Sequence, residues 1–235
     1  MTSAKTRRSD NMRRIKSKGM LPELTSGREL SKVDVGSGLT HAALLLQQQI
    51  ALANKGIYEA AQARPECAGM GTTLVTTVFV QNRVSIGHIG DSRCYRLRAD
   101  RFEQLTHDHS LLQEQIDSGM LTTEQAKYSL NKNLVTRALG IEAVVPADIS
   151  EYRVEADDIY LLCSDGLTDM VEPEAVQEII ATRRGDLAEA AAELIDVANQ
   201  NGGRDNISVV LVRVPAEFLP SASWLQRWMA KKPAT

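Results

Sequence analysis

The sequence predicts one α+β domain built in layers, and three observations predict it. Segments of β type cluster between Thr72 and Thr106, helical periodicity is confined to separate blocks, and no regular β-α-β alternation joins the two. A chain of 235 residues can bury one sizeable core, and no linker divides it. With 43% apolar and 24% charged residues the composition is that of an ordinary globular protein, which excludes disorder throughout.

Residues 1–40 lack sustained apolar periodicity and are rich in Lys, Arg, Ser and Gly, so they are expected to be basic and poorly ordered. From His41 to about Arg64 the positions Leu45, Ile50, Leu52, Ile57 and Ala60 among Gln, Asn and Glu predict an amphipathic helix, with Pro65 after its end. Thr72 to Val80, Val84 to Ile89, Cys94 to Arg98 and Phe102 to Thr106, separated by short turns, predict an antiparallel meander. Ser110 to about Tyr128 reads as helical with a break at Ser118-Gly119. Two strands follow, Ile149 to Val154 and Ile159 to Cys163, then helices over Pro173 to Arg184 and Leu187 to Asn199, and a last strand over Ile207 to Val214. The domain is thus expected to occupy residues 41–214. In the tail, residues 215–235, Trp224, Leu225, Trp228 and Met229 fall at helical spacing, which fits packing back on the domain or a short amphipathic docking helix.

Several function classes are set aside. The apolar stretches fall short of the roughly 20 residues that cross a bilayer, and the basic head has no apolar run behind it, so a chain without a transmembrane segment or secretory signal, cytoplasmic and monomeric, is expected. The three cysteines, Cys67, Cys94 and Cys163, give neither an even disulfide framework nor zinc spacing. Where a cysteine-dependent phosphatase needs an arginine to cradle phosphate, they are followed by Thr73, Asp100 and Asp169. Net charge is −3, yet Met1 to Lys32 carries nine Lys/Arg against three Asp/Glu. That head has no aromatic residue to stack bases, so no nucleic-acid partner is expected. His107-Asp108-His109 reads as a loop, since alternate side chains of an extended segment point apart.

The chemistry lies in aspartates at strand ends. Gly90-Asp91-Ser92-Arg93 follows one apolar strand, Ser164-Asp165-Gly166-Leu167-Thr168-Asp169 follows another, and Gly202-Gly203-Arg204-Asp205-Asn206 precedes the last. Asp169 is four residues beyond Asp165, so a helical turn puts both carboxylates on one side. If the last two long strands are antiparallel neighbours, Asp165 comes near Asp205. Crowded carboxylates repel and need cations, and all-oxygen donors suit Mg²⁺ or Mn²⁺.

Gly69-Met70-Gly71-Thr72-Thr73, Gly90-Asp91-Ser92-Arg93, Leu134-Val135-Thr136-Arg137-Ala138-Leu139-Gly140, the Ser164 to Asp169 element and Gly203-Arg204-Asp205-Asn206-Ile207-Ser208 resemble, in order and spacing, the bacterial PPM-type (protein phosphatase 2C) serine/threonine phosphatases. The resemblance spans roughly Ala42 to Val214. It implies a four-layer α/β/β/α sandwich, two antiparallel sheets flanked by helices and here lacking its first strands, with a metal cluster at one edge. It also implies Asp165 and Asp205 as ligands of a core pair of Mn²⁺ or Mg²⁺ ions, and Asp91 and Asp169 as holders, with Asp165, of a third ion. Residues 110–133 match a mobile flap. The reaction implied is attack on phosphorus by a metal-activated water, with phosphorylated proteins, products of a serine/threonine kinase, as substrates.

Two family elements near the N-terminus are not intact. Arg8-Ser9-Asp10-Asn11 imitates an Arg-x-x-Asn-Glu-Asp element, but Met12 and Arg13 replace its acids, and Asp34-Val35-Gly36-Ser37-Gly38 only echoes Asp-Gly-x-Gly-Gly-His. The alternative expectation is therefore a catalytically impaired relative that binds phosphoproteins or a kinase. A third is that residues 1–40 are not the natural start, which the upstream DNA would settle.

Overall fold

The computed structural model describes residues 27–126, 129 and 134–218. Helices α1 (Gly27–Leu30) and α2 (His41–Ala63) precede strands β1 (Leu74–Val80), β2 (Arg83–Ile89), β3 (Arg93–Arg98) and β4 (Arg101–Gln104). Then come α3 (Leu111–Asp117), α4 (Thr123–Ala126), β5 (Asp148–Arg153), β6 (Ile159–Cys163), α5 (Asp165–Thr168), α6 (Pro173–Thr182), α7 (Leu187–Gln200) and β7 (Val209–Arg213). Of the N-terminal segment expected to be poorly ordered, residues 1–26 lie outside the described residues; 27–40 hold α1 and a bridge between Val33 and Thr40. The tail helix expected at Trp224 to Met229 also lies outside them.

The strands form two antiparallel sheets, ordered β1-β2-β5 and β4-β3-β6-β7. This corrects the expected meander. The chain pairs β1 with β2, then leaves that sheet at Gly90-Asp91-Ser92 and enters the other as β3. The physical cause is local: Gly90 has φ +100°, a region that L side chains rarely adopt, and a Cβ there would stand 2.4 Å from Cγ2 of Thr73. The turn therefore redirects the backbone between layers.

Period-two alternation along the strands supplies the layers. Tyr160 faces the other sheet, packing with Val84, Ile86, Cys94, Val154 and Val214, and meets Phe79 edge-to-face at 5.2 Å. Its neighbours Ile159 and Leu161 face the opposite way, onto Val176, Ile180 and Leu194 of α6 and α7. Leu46 and Ile50 of α2 cover the outer face of the first sheet with Ile89 and Leu139. The result is an α/β/β/α sandwich. Cys94 and Cys163 fall on opposite faces of their sheet, and all three cysteines are free thiols.

Thr40 starts α2 as the periodicity predicts. Its hydroxyl accepts from the Ala43 amide at 3.2 Å and donates to Glu151 on β5 at 2.6 Å, fixing the helix end to the sheet. The break expected at Ser118-Gly119 is present, separating α3 from α4. No helix among the described residues is long and apolar enough to cross a membrane.

Candidate metal centre

β6 and β7 are antiparallel neighbours, with Cys163 opposite Val209, so the turn after one lies beside the turn before the other. Side chains extend the pairing past the strand ends. The Ser164 hydroxyl donates to the Asn206 carbonyl at 2.8 Å and accepts from the Ser208 amide at 3.0 Å. A Cβ on Gly166 would stand 2.5 Å from the Asn206 carbonyl oxygen, so only glycine lets the Asp165 and Asp205 turns press backbone against backbone. α5 then brings Asp169 one turn beyond Asp165, its amide bonded to the Asp165 carbonyl at 2.8 Å.

The carboxylates differ in environment. Asp165 is half-buried and accepts from the Gly166 amide at 2.9 Å, while Asp169 and Asp205 are exposed, Asp205 accepting from the Asn206 amide at 2.6 Å. Asp91 is only 8% exposed. Burial, and next the negative charge of Asp165, push its carboxyl up to about 6. The two lie close enough to repel because β3 and β6 are antiparallel neighbours with Arg93 opposite Cys163, which sets the turn before one beside the turn after the other.

The four aspartates do not bring three ligand oxygens within 4.8 Å of one another. Among the described residues, the group that reaches this spacing is His88, His109 and Asp148. Its hydrogen bonds do not suit an ion. His109 Nδ1 accepts from the Gly90 amide at 3.1 Å, so the neutral ring carries its proton on Nε2, the nitrogen facing Asp148 at 3.3 Å. His88 directs Nε2 to the His107 carbonyl at 2.7 Å, and the two rings stack 4.8 Å apart, 18° from parallel, so their in-plane lone pairs do not converge. A cation is already present: Arg137 Nη1 lies 3.4 Å from both His109 Nε2 and Asp148 Oδ1.

The His107-Asp108-His109 segment, read from sequence as a loop, flanks Asp91 on both sides. Asp108 is buried and receives both Nε and Nη2 of Arg93, the latter at 2.6 Å, with Gln104 Nε2 at 3.0 Å. His109 bonds to Gly90. His107 is exposed and pairs with Asp117 of α3 at 2.7 Å. Alternation does point the three side chains apart, but each finds a separate partner around the Asp91 turn. No spacing rule within 107–109 reveals this, because the partners Gly90 and Arg93 come from 15 to 19 residues earlier and Asp117 from 10 residues later.

Comparison with known proteins decides the family. The model of the protein phosphatase 2C family matches residues 4–207. The chain belongs to the protein phosphatase 2C family. A serine/threonine phosphatase stp of Listeria innocua is 43% identical over 167 residues, 71% of this chain and 66% of that protein. The chain thus spans less than two thirds of that relative's length. Among solved structures, the Mycobacterium tuberculosis serine/threonine phosphatase PstP/Ppp superposes with a TM-score of 0.66 at 33% identity, over 74% of this chain and 84% of that one. The catalytic domain of PstP in complex with two manganese ions gives 0.67 at 36%, over 74% and 71%. The family's two antiparallel sheets flanked by helices are the architecture described above.

The Asp91 environment makes the metal-free protein sensitive to pH in a definite direction. Its carboxyl is raised from 3.8 to about 6, so between these values the folded chain holds a proton that the unfolded chain has lost. This contribution to stability is full below pH 4 and is lost as pH rises to 6. In the metal-free protein Asp91→Asn is expected to remove this loss and stabilise the fold at pH 7 by about 1 kcal/mol, less than the roughly 3 kcal/mol of the full shift because solvent screens the carboxylate in part. Urea unfolding in chelator at pH 7 checks it, and a lower midpoint for Asp91→Asn would contradict the charge argument.

Proposed function

We propose that this chain hydrolyses phosphoserine and phosphothreonine in proteins with the help of Mn²⁺ or Mg²⁺. The observation that carries the reading is the buried Asp91 carboxylate held against the charge of Asp165, each at a strand end of a family-matched domain. Two acids kept in mutual repulsion, with oxygens and no thiolates as the available donors, fit a hard dication better than any other ligand. Asp91 and Asp165 would hold an ion jointly, while Asp169 and Asp205, beside them on the α5 and β7 turns, would complete its shell or that of a second.

A bound dication supplies acidification of water and neutralisation of charge on the phosphoryl oxygens. The chain's own residues do the remaining work. The Gly166 contact with Asn206 fixes the Asp165 turn against the Asp205 turn, and the Arg93–Asp108 pair fixes the backbone after Asp91. The names of the relatives, serine/threonine phosphatases, support phosphorylated protein side chains as substrates, and with that reading goes a serine/threonine kinase as the opposing enzyme.

The test is release of inorganic phosphate from p-nitrophenyl phosphate and from phosphoserine and phosphothreonine peptides by the purified chain. Turnover with Mn²⁺ that stops in chelator is expected. Phosphopeptide binding without turnover at any Mn²⁺ concentration would overturn the reading in favour of a phosphoprotein-binding module.

A further inference from the structure

His109 makes two bonds to the peptide groups on either side of one residue. Its backbone amide donates to the Gly90 carbonyl at 3.0 Å, and its Nδ1 accepts from the Gly90 amide at 3.1 Å. Gly90 sits at φ +100° directly before Asp91, a conformation that needs holding because the chain there has left one sheet and not yet joined the next. We propose that His109 is a positioning residue that clamps the Gly90 peptide and thereby aims the Asp91 carboxylate at the ion it shares with Asp165. The clamp belongs to the site assigned above and rests on that reading.

The ring is itself held from three directions. It is 5% exposed, stacks on His88 of β2, and points Nε2 at Asp148 of β5 at 3.3 Å, with Arg137 Nη1 3.4 Å from the same nitrogen. The Gly90 amide donating to Nδ1 and the Asp148 carboxylate accepting from Nε2–H together select the tautomer with its proton on Nε2. Burial, with His88 adding, keeps the imidazole below its usual value and so neutral, which the Gly90 bond requires: an imidazolium would present a donor to a donor. The His109 carbonyl accepts from the Thr136 amide at 2.8 Å, so the same residue ties the Asp91 turn to residues 134–139. A wholly structural role for the ring, filling space between two layers, predicts no preference between acceptors of different placement. The clamp does.

Asn and Gln discriminate the two. An asparagine oxygen can take the place of Nδ1, whereas the glutamine amide reaches toward Nε2 and leaves the Gly90 amide without an acceptor. Three variants of the full chain, His109→Asn, His109→Gln and His109→Leu, are compared in two measurements. Calorimetric titration with Mn²⁺ is expected to show affinity within about threefold of the parent for Asn and a loss of about 10-fold or more for Gln and Leu, the usual effect of removing a residue that orients a ligand. Amide hydrogen exchange, measured in chelator, is expected to lose protection at Gly90 in Gln and Leu and to keep it in Asn.

Equal Mn²⁺ affinity in all three variants overturns the proposal, as does a loss that follows thermal stability alone and is as large in Asn as in Leu. Equal Mn²⁺ binding by the parent and Asp91→Asn would overturn the assignment of Asp91 as a ligand. That result is told apart from failure of the clamp because Gly90 exchange reads the clamp with no metal present.

Discussion

Asp165→Asn is expected to reduce Mn²⁺-dependent phosphate release by about 10³-fold or more while leaving the fold in place. The side chain sits where three elements meet: the end of β6, the start of α5 and the turn before β7, which lies against Gly166. Its charge also raises the Asp91 carboxyl, more than that of Asp108 does. Neutralising it would remove a proposed anionic ligand from the place where the two turns meet, and electrostatic stabilisation of the transferred phosphoryl group is the larger part of such catalysis. Asparagine can still accept the Gly166 amide through its side-chain oxygen, so the local turn survives. The measurements are steady-state turnover of p-nitrophenyl phosphate across Mn²⁺ concentrations and circular dichroism of the variant. Turnover within tenfold of the parent at saturating Mn²⁺ would remove Asp165 from the centre.

Asp108→Ala is expected to cost about 3 kcal/mol of folding stability. Its carboxylate is 7% exposed as a side chain and receives Arg93 through two nitrogens and Gln104 through one. Removing it leaves a partly buried guanidinium whose remaining hydrogen-bond partner among the described residues is the Tyr95 hydroxyl at 3.2 Å. Replacing both members, Arg93→Met with Asp108→Leu, should cost less than Asp108→Ala alone, because the penalty arises from the charge left without a partner rather than from the bond lost. Urea unfolding of the parent, the single variants and the double variant measures this. A double variant less stable than Asp108→Ala would contradict it. The same substitution tests function, since Arg93 follows Asp91 by two residues and its anchoring fixes the second end of that turn.

The pair and the clamp together explain why three consecutive residues of ordinary appearance matter. Asp108 holds Arg93 after Asp91, and His109 holds Gly90 before it. The Asp91 carboxylate can therefore stay buried beside another negative charge without the turn relaxing outward. On the proposed function, part of the stability of the metal-free fold is given up to keep Asp91 in place as a ligand.

The sequence by itself determined the helices and strands from His41 onward to within a few residues, the positions of Asp91, Asp165 and Asp205 in turns at strand ends, and the family. It could do so because periodicity, glycine at turns and Pro or Thr at helix starts are local signals, and because Asp165 and Asp205 flank strands long enough to pair. Three things only the tertiary structure decided. The apparent meander divides between two sheets, since a single glycine at φ +100° turns the chain from one layer to the other and leaves the apolar pattern unchanged. Asp91 is the buried, proton-retaining carboxylate while Asp169 and Asp205 are exposed, because burial depends on which layers close over a turn and not on the residues within it. His107-Asp108-His109 is a support for that turn because folding sets it against residues from the preceding hairpin and from β5, and contacts between segments distant in sequence leave no periodicity to read.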